Sequence, residues 1–213
     1  MRIVATSDTH YTVDVKTIPD GDVFMHCGDL MRTGYPSDFE KQLEWLAELP
    51  HEIKLFTPGN HDFHLKVYPG PALQQLRDVG VWVVGLPGNE NYSTYKLPNG
   101  MNVLGLPYVT NLPRWAFNET DAYLGEFLAR QRSIDIVMSH APPKHILDSP
   151  KPGINVGIQA YRDFARYHKP EHWFFGHIHE CYGHEVQFGT EFWNVAMCDR
   201  SYKHSNPAVV VDL

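Results

Sequence analysis

Nine short apolar runs punctuate the chain, at residues 3–5, 23–25, 53–56, 81–84, 103–104, 134–138, 173–175, 192–195 and 209–211, and most stop at turn-forming residues. Near-continuous apolar runs of this length read as strands buried on both faces. Helical stripes lie between several of them. Phe39, Leu43, Leu46 and Leu49 form one; Leu73, Leu76 and Val79 another; Leu124, Phe127 and Leu128 a third; Ile158, Tyr161, Phe164 and Ala165 a fourth. Ser37-Asp38-Phe39-Glu40 predicts a capping box at the first stripe, which Pro50 ends. Asn99-Gly100, between Tyr95-Lys96-Leu97 and Asn102-Val103-Leu104, predicts a hairpin, and a second is expected around Gly189. Strands alternating with helices, with hairpins added, predict an α/β layered architecture: a two-sheet β-sandwich flanked by helices. No repeat, low-complexity tract or linker divides the chain, so residues 1–213 are expected to form one domain.

The chemistry lies just past the ends of five runs. Residues 3–5 lead to Asp8 and His10, residues 23–25 to Gly28-Asp29, and residues 53–56 to Gly59-Asn60-His61-Asp62. Residues 134–138 lead to Ser139-His140, and residues 173–175 to Gly176-His177-Ile178-His179. Singly, each piece is ordinary turn or cap chemistry. In layered α/β proteins, however, ligand sites collect at the carboxyl ends of strands, so five such ends can converge on one place. Asp, Asn and His offer oxygen and nitrogen donors without a thiolate, which suits Mn, Fe, Zn or Ni rather than a cysteine-type structural zinc. Seven candidate ligands (Asp8, His10, Asp29, Asn60, His140, His177 and His179) exceed the needs of one ion and suit two ions sharing one carboxylate. Two ions about 3.5–4 Å apart are a device for phosphoryl displacement, because they acidify a shared water and neutralise the phosphoryl oxygens.

Composition narrows the alternatives. A formal net charge of −7 gives no basic footprint for a dedicated nucleic-acid or membrane-surface binder, although bound metal ions would reverse the local sign for a phosphate substrate. Three cysteines without a C-x-x-C spacing argue against a disulfide framework and fit a reducing cytoplasm. Met1 leads straight into the first apolar run, so no signal peptide is expected, and no apolar run is long enough to span a bilayer. The segment 107–118 reads as an aromatic loop in which Tyr108 or Trp115 stacks on a base and Arg114 approaches phosphate; packing of the loop by buried aromatics is the competing reading.

The ordered set Asp8-x-His10, Gly28-Asp29, Gly59-Asn60-His61-Asp62, Ser139-His140 and Gly176-His177-x-His179 resembles the calcineurin-like metallophosphoesterase superfamily across nearly the whole chain. Pro19-Asp20-Gly21-Asp22, Thr33-Gly34-Tyr35-Pro36-Ser37, Trp45-Leu46-Ala47-Glu48-Leu49-Pro50, His140-Ala141-Pro142-Pro143 and His179-Glu180-Cys181-Tyr182-Gly183 are similar to the small metallophosphoesterase-domain-containing, class III phosphodiesterase-like proteins. Some of those have glycine where His177 stands; this chain keeps the histidine. The resemblance implies the calcineurin-like fold with a dimetal site at strand ends. It implies that Asp8, His10 and His179 hold one ion, that Asn60, His140 and His177 hold the other, and that Asp29 bridges. His61 would face substrate and protonate the leaving oxygen, with Asp62 orienting it.

The expected function is a dimetal phosphodiesterase acting on a small phosphodiester such as a nucleotide or cyclic nucleotide. Manganese is the first expectation, with Fe, Zn, Ni and Mg as alternatives. The rival readings are a phosphomonoesterase or protein phosphatase, and a nucleotide-binding dimetal module with little turnover. Against the protein phosphatases, the Arg-Gly pair they carry soon after Gly-Asp is replaced here by Leu30-Met31-Arg32-Thr33-Gly34. Nothing in the sequence specifies an oligomeric state or a nucleic-acid channel.

Overall fold

The apolar runs pair into two sheets. The computed structural model describes residues 1–32, 34–88 and 93–213; Thr33, within one of the segments that carry the resemblance, lies outside the described residues. The strands are β1 (Arg2–Thr6), β2 (Val23–His26), β3 (Ile53–Phe56), β4 (Val81–Val83), β5 (Thr94–Lys96), β6 (Asn102–Leu106), β7 (Ile136–Ser139), β8 (His172–Phe175), β9 (Gly183–Gln187), β10 (Thr190–Asn194) and β11 (Val209–Asp212). One sheet has the order β11-β1-β2-β3-β4, the other β5-β6-β7-β8-β10-β9. The pairs β1/β2, β2/β3, β3/β4, β6/β7, β7/β8 and β8/β10 are parallel. The antiparallel strands β11, β5 and β9 stand at sheet edges. Both expected hairpins are present, as β5/β6 and β9/β10.

Parallel neighbours require crossovers, and the helical stripes supply them. Helix α1 (Pro36–Glu48) joins β2 to β3, and α2 (Phe63–Val67) with α3 (Pro69–Asp78) joins β3 to β4. Helix α4 (Asp121–Leu128) joins β6 to β7, and α5 (Gln159–His168) joins β7 to β8. The capping box is corrected: α1 begins at Pro36 with Tyr35 as its N-cap and no side-chain cap bond. Proline fits the first helical turn, where its missing N–H is not needed, so the helix starts ahead of Ser37.

Strand alternation divides the core. Ile3, Ala5, Met25 and Leu55 of the first sheet meet Val103, Ile136, Met138 and Phe174 of the second, in an apolar layer between the sheets. Their strand neighbours Val4, Phe24, Phe56, Val137, Trp173 and Phe175 turn the other way and pack in the cluster that holds Phe39, Leu46, Leu76, Leu124 and Phe164 of the helices. Each such side chain, fully buried, stabilises by about 1.5–3 kcal/mol. This two-faced burial is why the runs lack polar alternation. It also fixes the height at which the strands end, and with it the position of the side chains beyond them.

Candidate dimetal site

Backbone bonds stitch the strand ends together. The Asp8 amide donates to the Gly28 carbonyl at 2.9 Å, and the His10 amide to the Asp29 carbonyl at 3.1 Å. The Ser7 hydroxyl donates to the Cys27 carbonyl at 2.9 Å. On the second sheet the Trp173 indole donates to Ser139 Oγ at 2.8 Å, and Ser139 Oγ to the Ala141 carbonyl at 2.7 Å, which braces the chain on both sides of His140. Asp8, His10, Asp29 and His177 all adopt left-handed φ values, 52°, 43°, 55° and 67°. A non-glycine residue there is uncommon, and four together at one place are held by the surrounding bonds.

The result is a set of side chains around Asp29. Ligand atoms of Asp8, His10 and His179 lie within 4.8 Å of one another, as do those of Asp29, His140 and His177. Asp29 faces both groups with different oxygens: Oδ2 is 3.8 Å from His10 Nε2, and Oδ1 is 3.4 Å from His140 Nε2. Asn60 turns its amide oxygen to the same place, 2.9 Å from His140 Nε2. Gly59 permits the approach, since a Cβ there would lie 2.4 Å from both the Asp29 amide and its Oδ1.

Residues 1–181 match the calcineurin-like phosphoesterase family. The chain belongs to that family. It is 32% identical over its whole length to the metallophosphoesterase domain-containing protein 1 of Homo sapiens, and equally to that of Mus musculus, covering 71% of each. To a UPF0046 protein of Caenorhabditis elegans it is 25% identical, over all of this chain and 81% of the worm protein. A solved structure with a TM-score of 0.66 is 15% identical and covers 91% of this chain and 89% of its own, a likeness of fold alone. The phosphoesterase is a hydrolase of phosphate esters, and its family implies two divalent ions at this site.

The donor set fits such ions. His10 Nδ1 lies 3.2 Å from the Met31 carbonyl, His140 Nδ1 3.0 Å from that of Cys27, and His179 Nδ1 2.8 Å from that of Asp199. A carbonyl can only accept, so each Nδ1 carries the proton and each neutral ring turns a lone pair at Nε2 into the site. His10 Nε2 and His179 Nε2 come to 3.4 Å of each other, with Asp8 Oδ1 at 3.2 Å from the latter. Lone pairs and carboxylates converging in this way call for positive charge. In the metal-free protein protons supply it. Burial disfavours charge on His140, but the Asp29 charge and hydrogen bond outweigh it and raise the ring to about 9. Burial is likewise outweighed at His179, which its bond and proximity to Asp8 raise to about 9. Burial wins at His10 and His177, both lowered to about 4.

His61 stands beside these groups. Its Nδ1 donates to the Arg32 carbonyl at 2.6 Å, and its Nε2 is 3.9 Å from Asp29 Oδ2. Among the described residues no contact joins the Asp62 carboxylate to the His61 ring, which corrects the expectation that it orients that ring directly. The Asp62 carboxylate is fully buried and accepts from the backbone amides of Gly59, Asp29 and Met31 at 2.7, 3.0 and 3.0 Å. The adjacent residue points away from His61 and ties the β2 and β3 loops together. Burial and the charge of Asp29 push its carboxyl up to about 7, against the pull of the amides of Gly59 and Met31.

The aromatic loop divides. Trp115 is 36% exposed and its ring centroid is 4.5 Å from that of His61. The Ala116 amide donates to the Asn60 carbonyl at 3.2 Å, which fixes the loop to the site. Tyr108 is corrected: only 4% exposed, it packs edge-on to Tyr123 and Phe127 in the core and has no face to offer a base. Arg114 is exposed, and among the described residues no contact ties its guanidinium to the site. Two residues near the site lie outside the sequence motifs. The Tyr202 ring lies 4.7 Å from that of His10 and 5.7 Å from that of His179, with the Arg32 guanidinium 5.7 Å from its centroid. Arg32 carries a signal, three residues after Asp29; Tyr202 lies well beyond the last metal-ligand motif, which ends at His179, and carries none.

Proposed function

We propose that the phosphoesterase is a phosphodiesterase of small nucleotide-type esters, cyclic nucleotides included. Asp8, His10 and His179 hold one divalent ion, Asn60, His140 and His177 hold the other, and Asp29 is shared. The oxygen-and-nitrogen donor set favours manganese, with Fe, Zn, Ni and Mg as alternatives. Bound there, two dications supply Lewis acidity and an acidified water as nucleophile.

The protein's own part is proton transfer and orientation. The Nδ1 proton of His61 is engaged by the Arg32 carbonyl, so the proton passed to the leaving oxygen is one on Nε2, the atom that faces Asp29 Oδ2. Asn60, a neutral donor, limits the negative charge presented to an anionic substrate. The observation that carries the nucleotide reading is Trp115: a partly exposed indole beside His61, on a loop bonded to Asn60, is placed to receive a planar group attached to the leaving oxygen.

The partner is thus a small ester rather than a nucleic-acid strand. We place the protein in the cytoplasm, in keeping with three unpaired thiols at Cys27, Cys181 and Cys198. No helix among the described residues is long and apolar enough to cross a membrane. The test is elemental analysis after loading with each metal, then rates on cyclic and linear nucleotide diesters and their matching monoesters. Two ions per chain and a higher kcat/KM for diesters are expected. Faster monoester or phosphopeptide hydrolysis would favour the phosphatase reading, and nucleotide binding without metal-dependent turnover the module reading; either result overturns the proposal.

A further inference from the structure

One rim of the site is built by a turn that none of the metal-ligand motifs reaches. After β10 the chain bends at Asp199, whose Oδ1 accepts from the amides of Ser201 and Lys203 at 2.8 and 3.1 Å. Tyr202 takes a left-handed φ of 58°, a conformation that a tyrosine adopts at a steric cost. The Asp199 carbonyl also anchors His179, so turn and candidate ligand are one unit. The Tyr202 ring is thereby set against His10, His179 and, at 6.0 Å, His61.

Arg32 completes the arrangement. Its carbonyl anchors His61 while its side chain reaches the Tyr202 ring. A guanidinium within about 6 Å of a ring centroid is held by the ring's negative face. No ion pair or side-chain hydrogen bond engages that guanidinium among the described residues. Shielding of His10 would account for an aromatic ring at this place. It does not account for a guanidinium resting on that ring beside the proposed proton donor.

We propose that Tyr202 and Arg32 form a second wall of the leaving-group subsite, complementary to Trp115, and that this wall selects esters whose leaving group carries a planar ring of the nucleoside class. The inference rests on the phosphodiesterase function proposed for the same site. His61 touches both Trp115 and Tyr202, so an alcohol that receives its proton lies within reach of an indole and a phenol. Arg32 adds a cation whose N–H groups can meet ring acceptors or phosphate oxygens.

Calorimetry on the manganese-loaded protein tests this, with adenosine 5′-monophosphate and ribose 5-phosphate as paired probes that differ only in the base. Stacking of a base is worth about 1–3 kcal/mol, so the nucleotide should bind about 5- to 150-fold tighter. Tyr202→Leu should lower that ratio about fivefold or more, Tyr202→Phe should preserve it, and Arg32→Ala should lower it by a smaller factor while leaving the backbone carbonyl that holds His61. Metal content is measured in each variant. Should Tyr202→Leu lose an ion, Arg32→Ala decides, since its side chain contacts no candidate ligand. A ratio unchanged by Arg32→Ala and Tyr202→Leu overturns the proposal, as does a ratio of one in the wild type. The readout is independent of turnover: a protein that shows this ring dependence but hydrolyses no diester keeps the second wall and loses the phosphodiesterase reading.

Discussion

Gly176→Ala adds one methyl group where the chain leaves β8 for His177. A Cβ there would lie 1.9 Å from Asp8 Oδ2 and 2.3 Å from Ser7 Oγ, where contacts under 3.0 Å essentially never occur. Either the carboxylate or the strand end must move by roughly 1 Å, in an interior packed too closely to yield freely. The carboxylate has nowhere to go: Asp8 is fully buried, its Oδ2 accepts from the His177 amide at 2.9 Å, and its Oδ1 faces His179 Nε2 at 3.2 Å. Losing a charge-assisted bond costs about 1.5–3 kcal/mol, and overpacking adds about 1–3 kcal/mol. The metal-free fold should therefore weaken by about 2.5–6 kcal/mol, a large share of a typical stability of about 5–15 kcal/mol. Affinity for the ion at Asp8 should fall with it, since a ligand displaced by about 1 Å no longer meets its partners. Gly125→Ala is the matched control. It lies within α4, nothing stands within 4 Å of its added Cβ, and it should stabilise by about 0.5–1 kcal/mol. Urea denaturation of the metal-free variants reads stability, and manganese calorimetry reads the site. A Gly176→Ala protein as stable as wild type, binding two ions with unchanged affinity, would refute the reasoning.

The same geometry sets three further outcomes. His61→Ala should slow a nucleotide diester by about 10²–10⁴-fold while slowing a p-nitrophenyl ester much less, because p-nitrophenolate leaves without a proton. Metal content should stay intact; since His61, His10 and Asp29 have ligand atoms within 4.8 Å of one another, a lost ion would make His61 a ligand instead. Asp62→Asn leaves one acceptor oxygen for three backbone amides and turns an NH₂ toward at least one of them. It should destabilise by about 1–3 kcal/mol in urea, and a wild-type midpoint would contradict the role assigned to it. His26 is fully buried, with Nε2 2.9 Å from Thr9 Oγ1 and Nδ1 unpartnered among the described residues. Burial, outweighing the pull of Asp8 and Asp29, lowers it to about 3 from 6.5. The unfolded chain then binds more protons, so this contribution is complete above about pH 6.5 and shrinks as pH falls, by about 2 kcal/mol at about pH 5. His26→Gln should flatten the fall of the urea midpoint between about pH 7.5 and 5; parallel profiles for the two proteins would count against it.

The sandwich was legible because burial on both faces leaves a mark that survives without a partner: unbroken apolar runs such as 173–175, and hairpin punctuation at Asn99-Gly100 and Gly189. The short helix α2 was not, since five residues straight after Asp62 show too little periodicity. The start of α1 differs from the capping-box position because Pro36 and Ser37 are both credible helix openers, and the proline, whose missing N–H is not needed in the first turn, takes the first helical position. Loop 107–118 mixed a core anchor with a surface wall. Tyr108 and Trp115 are equally aromatic in sequence, and only the path of the backbone, bonded at Ala116 to Asn60, separates the one that is buried from the one beside His61.

For the site itself, the motifs indicate which side chains gather but not which way they point. A histidine ring becomes a directed donor only when its other nitrogen is occupied. The carbonyls that do this belong to Met31, Cys27, Asp199 and Arg32, none of which uses its own side chain at that contact. Backbone carbonyls carry no sequence signature, and each of these comes from a strand end or turn other than the one bearing its histidine. Direction at this centre is therefore a property of how the loops of the two sheets meet, and Asp62, gripping three amides across two loops, is the residue whose side chain enforces that meeting. The same logic explains the invisibility of Tyr202. Its position depends on the Asp199 turn, which is fixed by bonds to two amides and to a histidine twenty residues earlier. A substitution at Asp199 should thus disturb both the orientation of His179 and the placement of the Tyr202 ring, coupling metal affinity to ring recognition through one turn.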